Sequence, residues 1–295
     1  MDRSHTRKLL GVIAVLSASI MWALEPIFAK IAYRSAGVAS TFAVRTVFSL
    51  LVITLYILFT NRRHFSVKRK YLPTLVILSL TATLFADLIY IYALTMVPVI
   101  NAVLIGHMQP VFVVIIGYFT LRHDRITKYD YLGIAAMIIA GILVTTGSWE
   151  NLAALRMGTI GDLYVLMATV AWAATAIIAR KYLRVLPAGT IAFYRFFIAG
   201  ILFISYVAAA HGLQVPNIHQ ILLGVVIGIG TVLYYQGIKM IKAAQTSALE
   251  LSTPFFAAFL GYMVLQEYIS TFQFIGMVFL LPGIYFLAKK EPPAL

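Results

Sequence analysis

Long apolar runs, separated by short breaks that carry charged residues, proline or glycine, dominate this chain. A helix that crosses a bilayer needs about 20 mostly apolar residues. The runs predict ten such helices, at residues 11–33, 39–60, 72–95, 99–121, 130–147, 159–180, 188–210, 219–240, 244–265 and 271–288. Because the connections are short, we expect nearly the whole chain to lie in the bilayer, with no soluble domain left to carry a separate activity.

The composition also indicates a membrane protein. Of the 295 residues, 62% are hydrophobic and 11% are charged, whereas about 25% of the residues are charged in a soluble domain. So few charged side chains cannot cover a water-exposed surface, and the sequence therefore predicts an all-α integral membrane protein. The chain contains no cysteine, which excludes disulfides and thiolate sites. We expect no metal and no cofactor.

The distribution of basic residues tests the number of spans. Of the 23 lysines and arginines, Lys30, Arg45 and Arg195 fall inside predicted spans, and Arg34 and Arg156 fall in one set of alternate connections. All the others fall in the opposite set, which faces the cytoplasm by the positive-inside rule. The pattern predicts a multi-pass protein of the cytoplasmic (inner) membrane with both termini cytoplasmic. It also accounts for the net charge of +13 without a nucleic-acid partner.

The chain repeats itself in order from end to end. The matches include Trp22 with Trp172, Lys30 with Arg180 and Arg45 with Arg195 at a spacing of 150 residues, then Tyr90 with Tyr234, Pro110 with Pro254 and Gly117 with Gly261 at a spacing of 144. Residues 1–150 and 151–295 are therefore interpreted as two copies of one unit. Each copy holds five spans, an odd number, so the copies are inverted relative to each other, as is typical of secondary transporters.

These features resemble the drug/metabolite transporter superfamily, and within it the EamA-type exporters. The resemblance rests on the tryptophan in the first helix of each copy, the arginine early in the second, and the proline followed by a glycine in the fourth. It covers essentially the whole chain and implies ten helices around a central cavity, with alternating access. Members of this superfamily export amino acids, drugs and other metabolites. Among them, this chain is most similar in character to exporters of aromatic and other neutral amino acids.

Ionisable side chains at membrane depth are costly unless they face a cavity or a partner, so the few in this chain are candidates for substrate contact. Glu25, which lies beside Pro26, has no carboxylate at the equivalent place in the second copy. It is either a cavity carboxylate or the ion-pair partner of Lys30 or Arg45. Arg45 and Arg195 occupy matching positions, and we expect both to be mainly structural.

Three further polar residues lie within predicted spans. Asp87 is either a cavity residue or a hydrogen-bonded partner of a neighbouring helix. His107 is predicted to line the cavity because Gly106 beside it opens the backbone, and proton transfer through this histidine would be an extension of that role. Glu250 is the strongest candidate for an ion or substrate contact in the second half, and its equivalent in the first half is Gly106.

Aromatic side chains deep in the spans are predicted to form the walls of the cavity. The complete predicted substrate-binding set is Trp22, Glu25, Asp87, Tyr90, His107, Trp172, Tyr234, Tyr235 and Glu250. An aromatic cavity with few charges suits neutral or zwitterionic molecules, including an amine over a ring face. It suits sugar phosphates poorly, because those need converging lysines and arginines. For any single ring, ordinary packing between helices is the alternative.

The sequence therefore predicts a secondary transporter that exports small neutral or zwitterionic metabolites, most of all amino acids and possibly aromatic ones, across the cytoplasmic membrane by alternating access. The alternatives are export of drugs or other metabolites and, further off, a membrane receptor without transport. An enzyme is not expected, because the chain has no HExxH motif and no paired aspartates on facing helices. The expected partners are a small-molecule substrate and the lipid bilayer, with the protein as a monomer or homodimer.

Overall fold

The computed structural model describes residues 3–120, 128–155, 158–183, 185–210, 215–237, 240–241, 249–250 and 252–288, and within them every regular element is helical. The main helices are α1 (Arg3–Ala32), α2 (Val38–Thr60), α3 (Arg69–Ala93), α4 (Val99–Thr120), α5 (Lys128–Thr146), α6 (Ile160–Ile178), α7 (Ala188–Ala210), α8 (Ile218–Gly237), α9 (Ser252–Leu265) and α10 (Thr271–Ala288). Residues 244–248, which begin the predicted ninth span, lie outside the described residues.

These helices correspond one to one with the ten predicted spans. Within the described residues, eight helices are long and apolar enough to cross a membrane, and α9 and α10 add two shorter apolar helices. At 1.5 Å per residue the 23 residues of α2 extend about 35 Å, slightly more than the roughly 30 Å hydrocarbon core. The predicted fold class, an all-α membrane protein of ten helices in two repeats, is confirmed.

Two of the helices are irregular in their middle. In α3 the segment Leu80–Asp87 is a π-helix, and α4 consists of two segments, Val99–Gly106 and Gln109–Thr120. Pro110 explains the interruption of α4, because proline has no backbone N–H group and restricts the conformation of the residue before it. Such interruptions are frequent at functional sites. They place Asp87 at the end of the π-helical segment and His107 between the two halves of α4.

The packing of the helices follows the duplication. Helix α1 packs on α8 and α9, and its equivalent α6 packs on α3 and α4. Likewise α2 packs on α8, and its equivalent α7 packs on α3. The pairs α2–α7, α4–α9 and α5–α10 each join two equivalent helices. These contacts of the first repeat thus have counterparts in the second, which is the arrangement expected of two related units that face each other.

The two repeats also correspond at two places where a glycine of one repeat lies against the backbone of the other. A Cβ atom on Gly11 would lie 2.7 Å from Cβ of Met240, and a Cβ atom on Gly161 would lie 2.7 Å from Cβ of Met96. The glycines are 150 residues apart and the methionines 144 apart, the spacings of the sequence repeat. Only glycine lets the backbones come this close, and the first helix of each repeat therefore packs against a connection of the other repeat.

The end of the bundle that lacks the basic connections is held together by polar contacts between the repeats. Lys30 Nζ lies 2.6 Å from Glu267 Oε1, and Glu267 Oε2 accepts a hydrogen bond of 2.6 Å from the backbone N–H of Val99. Asn101 donates to Asp162 at 3.0 Å and accepts from Gln273 at 2.7 Å. These contacts link α1 and α4 of the first repeat to α6, α10 and the α9–α10 connection of the second.

Candidate substrate site between the repeats

Asp87 is the centre of a buried charged cluster. Arg195 Nη2 donates to both of its carboxylate oxygens, at 2.8 and 2.9 Å, and Arg45 Nη1 donates at 3.3 Å. Trp172 Nε1 adds a fourth hydrogen bond of 2.8 Å. The side chain of Asp87 is only 1% exposed, so the carboxylate has exchanged its water for these donors. The sequence left Asp87 either as a cavity residue or as a hydrogen-bonded partner of a neighbouring helix. The structure contains the hydrogen bonds to neighbouring helices.

Glu25 extends this cluster through Arg45. Arg45 Nε and Nη2 both donate to Glu25 Oε1, at 3.0 and 2.6 Å, and both side chains are buried. Of the two ion pairs considered for Glu25, the structure therefore contains the one with Arg45, while Lys30 pairs with Glu267 instead. Two carboxylates and two guanidinium groups give the cluster no net charge, which lowers the cost of burying it in the bilayer.

The two matching arginines converge on a single acidic residue although they belong to different repeats. The residue equivalent to Asp87 in the second repeat is Thr231, at a spacing of 144. Thr83 also belongs to the cluster, since its hydroxyl accepts a hydrogen bond of 3.1 Å from Arg195 Nε. Thr83 was absent from the sequence-based set, and a threonine four residues before Asp87 on the same helical face was the one signal for it.

Two aromatic pairs flank the charged cluster, and they are equivalent in the repeats. The rings of Trp22 and Tyr234 are 4.9 Å apart at 54°, and those of Tyr90 and Trp172 are 5.2 Å apart at 55°. Trp22, Trp172 and Tyr234 are half-buried, whereas Tyr90 is 6% exposed. The two tryptophans and their tyrosine partners, all predicted as cavity wall, are therefore brought together in pairs across the repeat interface.

Glu250 lies beside the first of these pairs. Its carboxylate lies within electrostatic reach of the Tyr234 hydroxyl, and its backbone lies near the ring of His107. The other His107 contact, between Nδ1 and the Val103 carbonyl oxygen, measures 2.7 Å. Among the described residues no lysine or arginine forms a salt bridge with Glu250. The structure thus brings Trp22, His107, Tyr234 and Glu250 together and leaves the carboxylate half-buried.

Tyr235 borders a small cavity next to this site. The cavity has a volume of about 10 Å³ and is lined by residues of α2, α7 and α8, among them Tyr56 and Gln236. This volume is about enough for one water molecule. The Gln236 amide, which donates to the Tyr56 hydroxyl, borders the cavity. A metabolite could enter this space only if the surrounding helices moved.

The chemical capacity of the site follows from these groups. A carboxylate beside the faces of tryptophan and tyrosine is an arrangement that binds cations, because the charge and the ring quadrupoles attract the same ligand. No group of three or more histidines, aspartates or glutamates that could hold a metal ion occurs among the described residues. The site therefore offers binding groups for a small organic molecule.

Comparison with known proteins assigns the chain to a family. Residues 9–146 and 159–289 each match the EamA-like transporter family. An uncharacterized transporter of Archaeoglobus fulgidus is 28% identical over 280 residues, 92% of this chain and 95% of that protein. An uncharacterized transporter of Methanothermobacter thermautotrophicus is 24% identical over an alignment of 317 residues that covers 97% of this chain and 88% of that one.

Two further similarities cover sequence and fold. Protein LicB of Haemophilus influenzae is 24% identical over 202 residues, 66% of this chain and 68% of that protein. A solved crystal structure superposes with a TM-score of 0.64 at 15% identity, covering 94% of this chain and 95% of that chain, which shows a shared fold. With a family match over both halves of the sequence, this chain belongs to the EamA-like transporter family.

Proposed function

We propose that this protein is a secondary transporter that exports small neutral or zwitterionic metabolites, amino acids above all, by alternating access. The observation that carries the proposal is the position of Glu250. It is a half-buried carboxylate within a membrane protein, it lies within electrostatic reach of Tyr234, and Tyr234 packs against Trp22. A charge is kept at such depth, at a cost of several kcal/mol, chiefly where it serves a ligand or an ion.

The positive pole of the substrate is matched by this carboxylate and the adjacent rings. An ammonium group placed over an aromatic face gains about 0.5–2 kcal/mol, and a hydrogen bond to a charged group adds about 1.5–3 kcal/mol. Glu25 and Asp87 are less suited to this role, because Arg45 already pairs with Glu25 and both arginines pair with Asp87. Glu250 is therefore the proposed amine-binding residue.

The negative pole of a zwitterion has a candidate partner in Arg195. Its side chain is 20% exposed, whereas that of Arg45 is 3% exposed. The guanidinium carbon of Arg195 lies 5.2 Å from the centre of the Phe196 ring. Arg195 also interacts electrostatically with Tyr235. Tyr235 in turn lies next to Tyr234, with 5.9 Å between the rings. A carboxylate bound at Arg195 and an amine bound at Glu250 would place an apolar side chain among these tyrosines.

Transport assays in proteoliposomes test the proposal. A panel of labelled amino acids, a phosphorylated sugar and a lipophilic cationic drug would be offered with and without a pH gradient. We expect accumulation of at least one neutral amino acid and none of the phosphorylated sugar. Exchange of the sugar phosphate without amino-acid transport would overturn the substrate assignment. Binding without movement of any compound would instead indicate a receptor, and movement of the drug alone would indicate a drug exporter.

A further inference from the structure

A short basic and aromatic motif occurs twice at one end of the bundle. The sequence Arg-Lys-Tyr-Leu stands at residues 69–72 and again at residues 180–183. The first copy begins α3 and the second follows α6, so both lie at the end that carries the basic connections. The copies are 111 residues apart, which is neither spacing of the internal repeat, so the duplication of the chain does not account for the motif.

In both copies the lysine lies over the ring of the next residue. Lys70 Nζ is 4.9 Å from the centre of the Tyr71 ring, and Lys181 Nζ is 5.2 Å from that of Tyr182. Both lysines are exposed. An ammonium group held above a tyrosine ring keeps N–H donors free to bind an anion, and tyrosine is enriched at the headgroup level of membrane proteins.

The segment Ala179–Leu183, which carries the second motif, packs on α3. Tyr71 and Ala179 pack against the same buried pair, Leu75 and Leu78. On the other side, Lys181 Nζ donates to the backbone oxygen of Thr120, at the end of α4, at 3.3 Å. The two motifs therefore lie on neighbouring elements, and we name their residues Lys70, Tyr71, Lys181 and Tyr182 the lysine–tyrosine surface.

The connection between α2 and α3 is fixed where it leads into this surface. The Thr190 hydroxyl donates to the His64 carbonyl at 2.8 Å, and the Tyr194 hydroxyl donates to the Phe65 carbonyl at 3.0 Å. Both hydroxyls belong to α7, so a helix of the second repeat anchors a connection of the first. Because the connection is already ordered, a ligand that binds there pays little additional conformational entropy.

The charge of the region is positive throughout the part that the structure describes. The exposed basic side chains in and next to the α2–α3 connection are Arg62, Arg63, Lys68, Arg69 and Lys70. Residues 61–72 contain no acidic residue, and Asp130 of α5, at the same end of the bundle, is fully buried. We propose that the lysine–tyrosine surface is a binding site for the headgroup of an anionic phospholipid in the surrounding leaflet.

Three physical features favour a lipid over a dissolved anion. The motif lies where the membrane-spanning helices begin and end, at the level of the headgroups, and a lipid there is present at high effective concentration. Basic residues beside a spanning helix gain about 1 kcal/mol each from anionic lipids. The tyrosine rings offer contact to the upper part of the acyl chains.

Native mass spectrometry of the full chain tests the proposal. The protein would be released from micelles that contain equal amounts of phosphatidylglycerol and phosphatidylcholine, and the retained lipids counted. We expect preferential retention of phosphatidylglycerol. The double variant Lys70→Gln/Lys181→Gln should bind it about fivefold more weakly for each lysine removed, with retention of phosphatidylcholine unchanged. Both lysines are exposed, so this variant is expected to fold, which thermal melting would verify.

A matched control removes the same charge from the other set of alternate connections along the sequence. The variant Arg34→Gln/Arg156→Gln should retain phosphatidylglycerol within twofold of the unmodified protein. A lysine variant that keeps its full preference for phosphatidylglycerol would overturn the proposal, as would an equal loss in the control. Displacement of the lipid by an equal concentration of glycerol phosphate would show a site for soluble phosphate and would also overturn the assignment to a membrane lipid.

Discussion

The two aromatic pairs of this transporter have nearly the same geometry and different surroundings. Trp22–Tyr234 and Tyr90–Trp172 differ by 0.3 Å in ring separation. Trp172, however, donates to Asp87, which two arginines hold. Trp22 lies against Gly230, and Tyr234 is electrostatically coupled to Glu250, which has no basic partner within the described part of the chain. The duplicated scaffold has thus preserved the positions of the rings, while the charged partners have diverged.

The difference assigns distinct roles to the two pairs. Around Trp172 each carboxylate is matched by a guanidinium group, which stabilises the contact between the repeats and leaves no carboxylate for the amine of a ligand. Around Trp22 a carboxylate remains without a cationic partner among the described residues. We therefore interpret the Tyr90–Trp172 side as structural and the Trp22–Tyr234 side as the substrate side, and four sets of variants test this division.

The largest effect is expected at Asp87. Asp87→Asn leaves Arg45 and Arg195 with one carboxylate, Glu25, between them, and breaking a buried ion pair costs about 3–5 kcal/mol. We expect a correspondingly large loss of unfolding free energy, measured by denaturant titration of the protein in micelles. The double variant Asp87→Asn/Arg195→Gln restores the charge balance and should recover part of the loss.

The matched control for this prediction is Thr231→Asn at the equivalent position of the second repeat. It should change the unfolding free energy by less than about 1 kcal/mol, since no charged side chain in the described ranges pairs with Thr231. Equal stability of Asp87→Asn and the unmodified protein would contradict a structural role of the cluster.

Glu250→Gln is expected to impair transport and spare stability. Loss of one hydrogen bond to a charged ligand group costs about 1.5–3 kcal/mol, which corresponds to a KM about 10- to 100-fold higher for a transported amino acid. KM from proteoliposome uptake and the melting temperature of the same preparation would be measured together. The comparison variant Glu25→Gln should show the reverse pattern, with a clear loss of stability because Arg45 loses its main partner. If both variants only lowered stability, Glu250 would not be a binding residue.

The two tryptophans provide a paired test at equivalent positions. Trp22→Leu removes an aromatic contact worth about 0.5–1.5 kcal/mol and should raise KM about three- to tenfold. Trp172→Leu also removes the hydrogen bond to Asp87, so its principal effect should be a loss of unfolding free energy of about 2–4 kcal/mol. Uptake kinetics and denaturant titration of both variants would separate an effect on KM from an effect on stability. Identical profiles for the two would show that the repeats are functionally equivalent here.

The smallest effect is expected from Gly230→Ala. A Cβ atom at Gly230 would lie 3.1 Å from Trp22 Nε1, close enough to displace the ring by a few tenths of an ångström. The equivalent residue in the first repeat is Ala86. We expect a change of about two- to fivefold in KM, in keeping with about 0.5–1 kcal/mol for a small packing change. Ala86→Gly, the reverse exchange on the structural side, should leave KM unaltered, and an equal KM change in both would argue against an asymmetric site.

The sequence by itself determined the architecture of this protein. A bilayer has no water to satisfy backbone groups, so long apolar runs can form only spanning helices. Their number and order were readable from the positions of the apolar runs and of the basic residues along the chain. The duplication was readable too, because equivalent residues such as Trp22 and Trp172 keep their spacing. The chemical types at the candidate site, an unmatched Glu250 and paired aromatics, were likewise visible along the chain.

The pairing of acidic with basic side chains became known only from the packing of the helices. From the sequence Glu25 had two possible basic partners, and nothing along the chain indicated that Arg45 and Arg195, from opposite repeats, would share Asp87. Salt bridges depend on distances of a few ångströms between residues of different helices, and these distances follow from helix packing and rotation. For the same reason the sequence left both a cavity role and an ion pair open for Glu25, and the fold gave this carboxylate an arginine, whereas Glu250 lies beside a tyrosine.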